Sequence, residues 1–467
     1  VLMKKITLSL VALSAIMTTS GFSADDLASA FKEGTTSGQV RAYYINRAFD
    51  RSNPLNGLTN YTRDGLALGG KLAYETASLY GISGGVAFYT TNKLDSASPL
   101  AQQNDATLFS SSDKGYTFLG QAYLQGKYGK TSVKIGRQQL DTPMAGSDDT
   151  RELPTLFTAA VATNNDIPDT TLIAARVTDV AYGTFASNYA VSTSAFKALA
   201  LSSGYGWGDQ LNDGSFQSMG QGALGAGAKN TGVTAVAAIN KSINGLTAQI
   251  WDYNAEEILN AVYAQADFSW KCLLNPNATM TASAQYLKES NLASASSGNN
   301  FTSAPYYGLQ LATKIGNFNA AAAYSSTGTD HSGIIGGISN GGNIISPWGG
   351  MPAFTAGMVA RHQFFNDTTA YKLSAGYNLK DIIGQDISAS AYYCSFDVKS
   401  AAATGLDYNG YTTGTTTEPG FYIIYNNAGM KNLQLKLLGN FPHNFQKTDS
   451  GQTISWAEYR VIANYNF

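Results

Sequence analysis

Seven basic residues share one local pattern. Arg41, Lys71, Lys134, Arg176, Lys372, Lys436 and Arg460 each interrupt a short apolar run, as in Val133-Lys134-Ile135, Leu435-Lys436-Leu437 and Tyr459-Arg460-Val461. Along a strand, successive side chains point to opposite faces, so each cation faces away from its apolar neighbours. If those neighbours meet lipid, the cations line a watery interior. The reverse placement would cost about 2–4 kcal/mol at mid-membrane. Two readings follow. The cations simply avoid lipid, or they form a column from seven strands that draws carboxylates through. Glu75, Asp267 and Glu458 share the register, so the field is mixed, and Arg137 has the opposite parity to Lys134. A second group is Asp141, Asp148, Asp149, Arg151 and Glu152, in a segment pinned by Pro143 and Pro154. Facing basic groups across a narrow opening, it would set up a transverse field that orients dipolar solutes. The plain alternative is a solvated polar loop, or Asp148-Asp149 holding an adventitious cation. All of this is electrostatics without covalent chemistry.

Enzymatic and cofactor motifs are missing. His331, His362 and His443 lack metal-ligand spacing, and no Gly-x-Ser-x-Gly elbow occurs. Gly222–Gly227 resembles a dinucleotide loop only superficially, because no strand–helix unit surrounds it. No basic run points to nucleic acid. The expectation is a protein that is not an enzyme, with no cofactor and no metal.

The elements that position such residues are strands. From Phe467 backwards, Tyr465, Ala463, Val461, Tyr459 and Ala457 form an apolar register, and Asn466, Asn464, Ile462, Arg460 and Glu458 a mostly polar one. About ten alternating residues suit a strand crossing a bilayer with lipid on one side and water on the other. Similar segments recur from Gly38 onward, among them Gly38–Arg47, Leu156–Thr163 and Thr170–Asp179. Short connectors such as Gly129-Lys130, Ile243–Gly245 and Gly316-Asn317 alternate with long ones such as Thr91–Gly115, Val180–Asn230, Ser325–Thr368 and Lys399–Pro419. Walking this alternation predicts an all-β fold, a transmembrane antiparallel β-barrel of about eighteen strands. Met358–Phe365 is assigned to a long loop, because an added strand would break the even count.

Composition agrees. Of 467 residues only 13% are charged, the net charge is −2, and there are 48 Gly, 28 Tyr and 21 Phe. Mean hydropathy is −0.13, as expected when only half of each strand meets lipid. The one long apolar run, Ile6–Met17, follows Lys4-Lys5 and precedes small residues. It predicts a secretory signal peptide over 1–24, cut near Ser23 or Ala24, then a short periplasmic segment over 25–36 and a barrel over 37–467. Cys272 and Cys394 read as two unpaired residues, with a disulfide as the minor alternative.

Gly136-Arg-Gln-Gln-Leu-Asp-Thr-Pro-Met-Ala-Gly-Ser-Asp-Asp-Thr-Arg-Glu-Leu-Pro154 resembles the strand-to-third-loop signature of the OprD-type outer-membrane porins. Gly38–Asp50 is similar to that family's first strand. Asn378–Ile387 resembles its late periplasmic turn, and Glu418–Lys436 with Glu458-Tyr-Arg-Val its last hairpins. The resemblance covers most of the mature chain, with Val180–Asn230 unmatched. It implies eighteen strands, extracellular loops three and seven folded into the pore, and a wall of basic residues for anionic groups. The expected function is passive, substrate-selective diffusion of small carboxylates and amino acids across the outer membrane of a Gram-negative bacterium. Alternatives are a general, weakly selective trimeric porin and an adhesin or receptor barrel that displays its loops. Expected partners are outer-membrane lipid, small anionic or zwitterionic solutes and the barrel-assembly machinery, with a homotrimer as an option.

Overall fold

The computed structural model describes residues 24–49, 61–95, 104–189, 212–225, 228, 232–330, 332–335, 338–339, 342–350, 352–399, 414–427, 429–447 and 453–467. The expected signal peptide up to Ser23, His331, Ala226-Gly227, and much of the long segments Val180–Asn230 and Lys399–Pro419 lie outside them.

Eighteen strands close on themselves. They are β1 Thr35–Phe49, β2 Thr62–Glu75, β3 Ile82–Asp95, β4 Tyr116–Tyr128, β5 Thr131–Gln138, β6 Leu156–Asn164, β7 Thr170–Ala181, β8 Val233–Asn240 and β9 Leu246–Ala255. The second half comprises β10 Leu259–Lys271, β11 Ala278–Asn291, β12 Tyr306–Ile315, β13 Phe318–Thr327, β14 Thr368–Asn378, β15 Asp386–Val398, β16 Gly414–Asn426, β17 Leu433–Asn440 and β18 Trp456–Asn466. Each pairs antiparallel with its neighbours in sequence, and β18 pairs with β1 through Arg41↔Asn464 and Tyr44↔Val461 to seal the barrel. Closure leaves no free edge, which a bilayer requires because nothing there can satisfy unpaired backbone groups. A two-residue strand, Gln217–Ser218, adds to the upper end of β7.

Alternation sets the two faces. On β18, Tyr459, Val461 and Tyr465 are exposed outward, while Glu458, Arg460 and Asn464 are buried inward. Leu68 and Leu72, Ile135, Leu309, Leu373 and Leu437 extend the outer apolar surface. The strands overrun the sequence-read segments at the long-loop end: β3 continues to Asp95, and β16 begins at Gly414 within Lys399–Pro419. Residues 358–365 remain in the seventh loop and include only a 3-10 turn, His362–Phe364. At the short-turn end a helix, α1 Leu27–Lys32, is capped by Asp26 and tied to the β2–β3 turn by Ala77 N donating to Ala30 O.

The third loop (139–155) and the seventh (328–367) fold inward and meet. Gly146 N donates to Trp348 O at 3.0 Å, and Met144, Ala145, Ile344, Ile345 and Trp348 share one buried apolar cluster with Val161, Ile173 and Val177 of the wall. The core therefore lies inside the barrel, between wall and loops. Cys272 and Cys394 are free.

Candidate functional site

Two wall carboxylates hold the seventh loop. Glu418 of β16 accepts from the backbone N–H groups of Met358, Val359 and Ala360, with Met358 and Ala360 both at 2.6 Å, and from the Tyr392 hydroxyl. Glu289 of β11 accepts from Ile345 N at 3.0 Å. Three consecutive donors on one carboxylate fix the loop's path more tightly than a single bond could. Lys372 adds a bond from Nζ to Ala356 O at 2.5 Å.

The third loop is pinned residue by residue. Asp149 accepts a two-point bond from Arg41 of β1, at 2.7 and 3.1 Å. The same guanidinium donates to the carbonyls of Arg151 and Glu152 and to Asn464 Oδ1. Asp148 takes Arg361 of the seventh loop at 3.1 and 3.2 Å, locking the two loops together. Arg151 reaches across to Glu458 of β18 at 3.0 Å and lies over the Phe185 ring. Asp141 turns back within the loop, accepting from Ser147 N and Oγ, and burial pushes its carboxyl above the usual range. Glu152 is buried against β2. Among these five, only Asp149, 41% exposed, borders the open lumen. Asp148, Asp149 and Arg151 pair with Arg361, Arg41 and Glu458 on the seventh loop and the wall instead of facing one another across an opening.

Glu458 is a hub. It accepts hydrogen bonds from Arg151 Nη2 and Arg460 Nε and forms an ion pair with Arg47, whose Nε stands 3.0 Å away. Asp105 adds a second carboxylate on Arg47 at 3.0 Å. Arg47 had a signal in sequence, since it alternates with Arg41 and Tyr43 on β1. Arg361, Glu289 and Glu418 had none beyond being charged.

The seven basic residues part company. Lys372, Lys436 and Arg460 line a lumen cavity of about 830 Å³ that reaches the short-turn end at Asn317 and Lys380. Lys71 and Lys134 sit on the opposite wall, where Lys134 Nζ stands 3.6 Å over the Tyr123 ring and Tyr123 donates to Glu75. Arg41 points inward but is covered by the third loop. Arg176 is a correction. It shares the face of exposed Leu172 and Ala174, while Ile173, Ala175 and Val177 turn inward and are buried. Its guanidinium binds Glu256 at 3.0 Å and Thr234 at 2.8 Å on the barrel's outside. The inner face of β7 is apolar because the third loop packs on it, so apolar residues there do not mark lipid. Arg137, next to Gly136, donates to Leu119 O and lies 4.3 Å over Phe216. Gly136 has φ +126°, and a Cβ there would stand 2.2 Å from Ala122 O, so this local twist needs glycine.

His362 is packed among the aromatic rings of Phe365, Phe396 and Phe445, with Nε2 at 3.1 Å from Phe445 O. Among the described residues no three metal-ligating side chains cluster. Burial pushes the imidazole down to about 4, against an ordinary value near 6.5. The folded state thus prefers the neutral ring. Its contribution is complete above roughly pH 6.5 and is lost as pH falls towards 4, a difference of about 3 kcal/mol. Thermal unfolding followed between pH 7 and 4 is expected to fall more steeply for the native protein than for His362→Gln.

A closed antiparallel barrel with an apolar outside, a charged lumen and two loops folded inward is the architecture of an outer-membrane diffusion channel. The chain belongs to the OprD family of outer membrane porins, whose family model matches residues 29–467. Similar solved structures include three from Pseudomonas aeruginosa. OccK9 (OpdG) is 17% identical, with TM-score 0.70 over 94% of this chain and 99% of that one. OpdK with vanillate is 14% identical, with TM-score 0.67 and the same coverage. OccK2 (OpdF) in complex with glucuronate is 14% identical, with TM-score 0.66 over 94% and 98%. No curated protein matches in sequence. Family membership makes this a passive outer-membrane channel of a Gram-negative bacterium, not an enzyme, in contact with membrane lipid and small solutes.

Proposed function

We propose that the channel selects small solutes bearing a carboxylate, amino acids among them. One observation carries this reading. The lumen cavity is lined by five cations, Lys314, Lys372, Lys380, Lys436 and Arg460, against two carboxylates, Asp149 and Asp386. Both carboxylates are already engaged, Asp149 by Arg41 and Asp386 by Asn378 and Asn426, and Arg460 is itself paired with Glu458, so the surplus rests on the four lysines. A wall with surplus positive charge raises the local concentration of anions and hence their flux. Two of the structural neighbours are solved with vanillate and glucuronate, both carboxylates of suitable size.

In a planar bilayer with a salt gradient, the reversal potential should show anion preference. In liposome swelling, small carboxylates should enter faster than neutral sugars of equal mass. Equal rates would instead establish the general-porin alternative. A homotrimer belongs to that alternative, and the mass of the purified protein–detergent complex decides it. Removal of a leader over 1–24, a short periplasmic segment over 25–36, and recognition of the terminal aromatic strand by the barrel-assembly machinery belong to the same proposal.

A further inference from the structure

Glu152 lies where the third loop rests on the wall of β2 and β3. Its residue is 1% exposed, and neither carboxyl oxygen has a hydrogen-bond partner among the described residues. Gly69 supplies the space, since a Cβ there would stand 2.6 Å from Glu152 Oε1 and 2.1 Å from Thr90 O. Two charged groups act on it, Arg41 from β1 and Asp149 from its own loop. Two phenols on the wall, Tyr43 and Tyr89, stand close to Arg41. Tyr43 of β1 donates to Thr150 O, and Tyr89 of β3 accepts from Gln121. Arg151 is turned away to Glu458. Arg41 is occupied by Asp149, by two loop carbonyls and by Asn464. An ionised Glu152 would therefore be desolvated and without a bond of its own, with the attraction of Arg41 partly offset by Asp149 and outweighed by burial.

We propose that Glu152 is a positioning residue that seats the third loop against the wall as a neutral acid, and that losing its proton to lumen water unseats the loop. The burial that leaves it without partners pushes its carboxyl up to about 8, while an unseated loop would return it to the ordinary carboxyl range. The seated loop is the protonated one. Between those limits the ratio of unseated to seated loop rises by up to tenfold per pH unit. Above about pH 8 the ratio levels off. The inference concerns the loop's position, whichever solute passes, so it stands apart from the carboxylate preference.

Single-channel recording between pH 6 and 9 tests it. Wild type is expected to show loop-driven current fluctuations that become more frequent with rising pH. Glu152→Gln, neutral and of the same shape, should keep the quiet low-pH behaviour throughout. The infrared difference between wild type and Glu152→Gln near neutral pH should carry the carbonyl stretch of a protonated carboxylic acid that fades as pH passes about 8, the subtraction removing other buried carboxyls such as Asp141. Identical pH profiles for the two proteins would overturn the proposal. So would a wild-type protonated-acid band that does not diminish as pH passes about 8, a measurement that needs no variant to fold.

Discussion

Glu458→Gln is expected to lower the stability of the barrel by about 3–5 kcal/mol, the cost typical of leaving a buried charge without its partner. Three guanidiniums, Arg47, Arg151 and Arg460, converge on that carboxylate, which is fully buried with them. Glutamine keeps the volume but removes the charge, and its amide nitrogen turns one acceptor position into a donor facing guanidinium N–H groups. Asp105 would remain as an ion-pair partner of Arg47. The loss should appear as a lower unfolding midpoint in detergent and as faster proteolysis of the third loop, whose tie through Arg151 is cut. Glu256→Gln is the matched control. It breaks the Arg176–Glu256 pair, whose side chains are 34% and 49% exposed, and exposed pairs contribute about 1 kcal/mol or less. If the two variants lose the same amount, the cluster is not the anchor described above.

Much of the wall was legible because a strand in a bilayer has few freedoms. The alternation of Tyr459, Val461 and Tyr465 with Glu458, Arg460 and Asn464 states which face meets lipid, and the structure agrees at each of these positions. Leu156 and Thr170 open β6 and β7 as the patterns there implied. Parity kept Met358–Phe365 out of the wall, and those residues lie in the seventh loop. Arg176 fails for a physical reason. Parity tells the two faces apart but cannot say which is inside when both are apolar. Leu172 and Ala174 meet lipid, while Ile173, Ala175 and Val177 meet the third loop.

The loops' partners were illegible because the bonds span long stretches of sequence. Arg361 meets Asp148 across 213 positions and Arg151 meets Glu458 across 307. No local spacing encodes such pairs. The third-loop acids read as a patch facing the solute, yet the fold uses most of them as fasteners. The proposed selectivity therefore rests on the cations that line the cavity.

Reversing Lys314 and Lys436 to Glu together is the sharpest test of that division of labour. It would turn a lining of five cations and two carboxylates into one of three and four. Lys372 is kept as it is because its ammonium holds the Ala356 carbonyl, so reversing it would move the seventh loop as well as the charge. A unit charge about 4 Å from a passing ion contributes about 1 kcal/mol even in water-like surroundings, and about 1.4 kcal/mol is a tenfold change in partition. Two reversals are expected to change the anion-to-cation permeability ratio by at least roughly tenfold and to flip the sign of the reversal potential. The change should be largest at low ionic strength, where screening is weakest. Carboxylate uptake should fall while neutral sugars keep their rate, since the loops that set the aperture are untouched. If carboxylates and sugars slow together, the lysines act through the shape of the lumen and not through their charge.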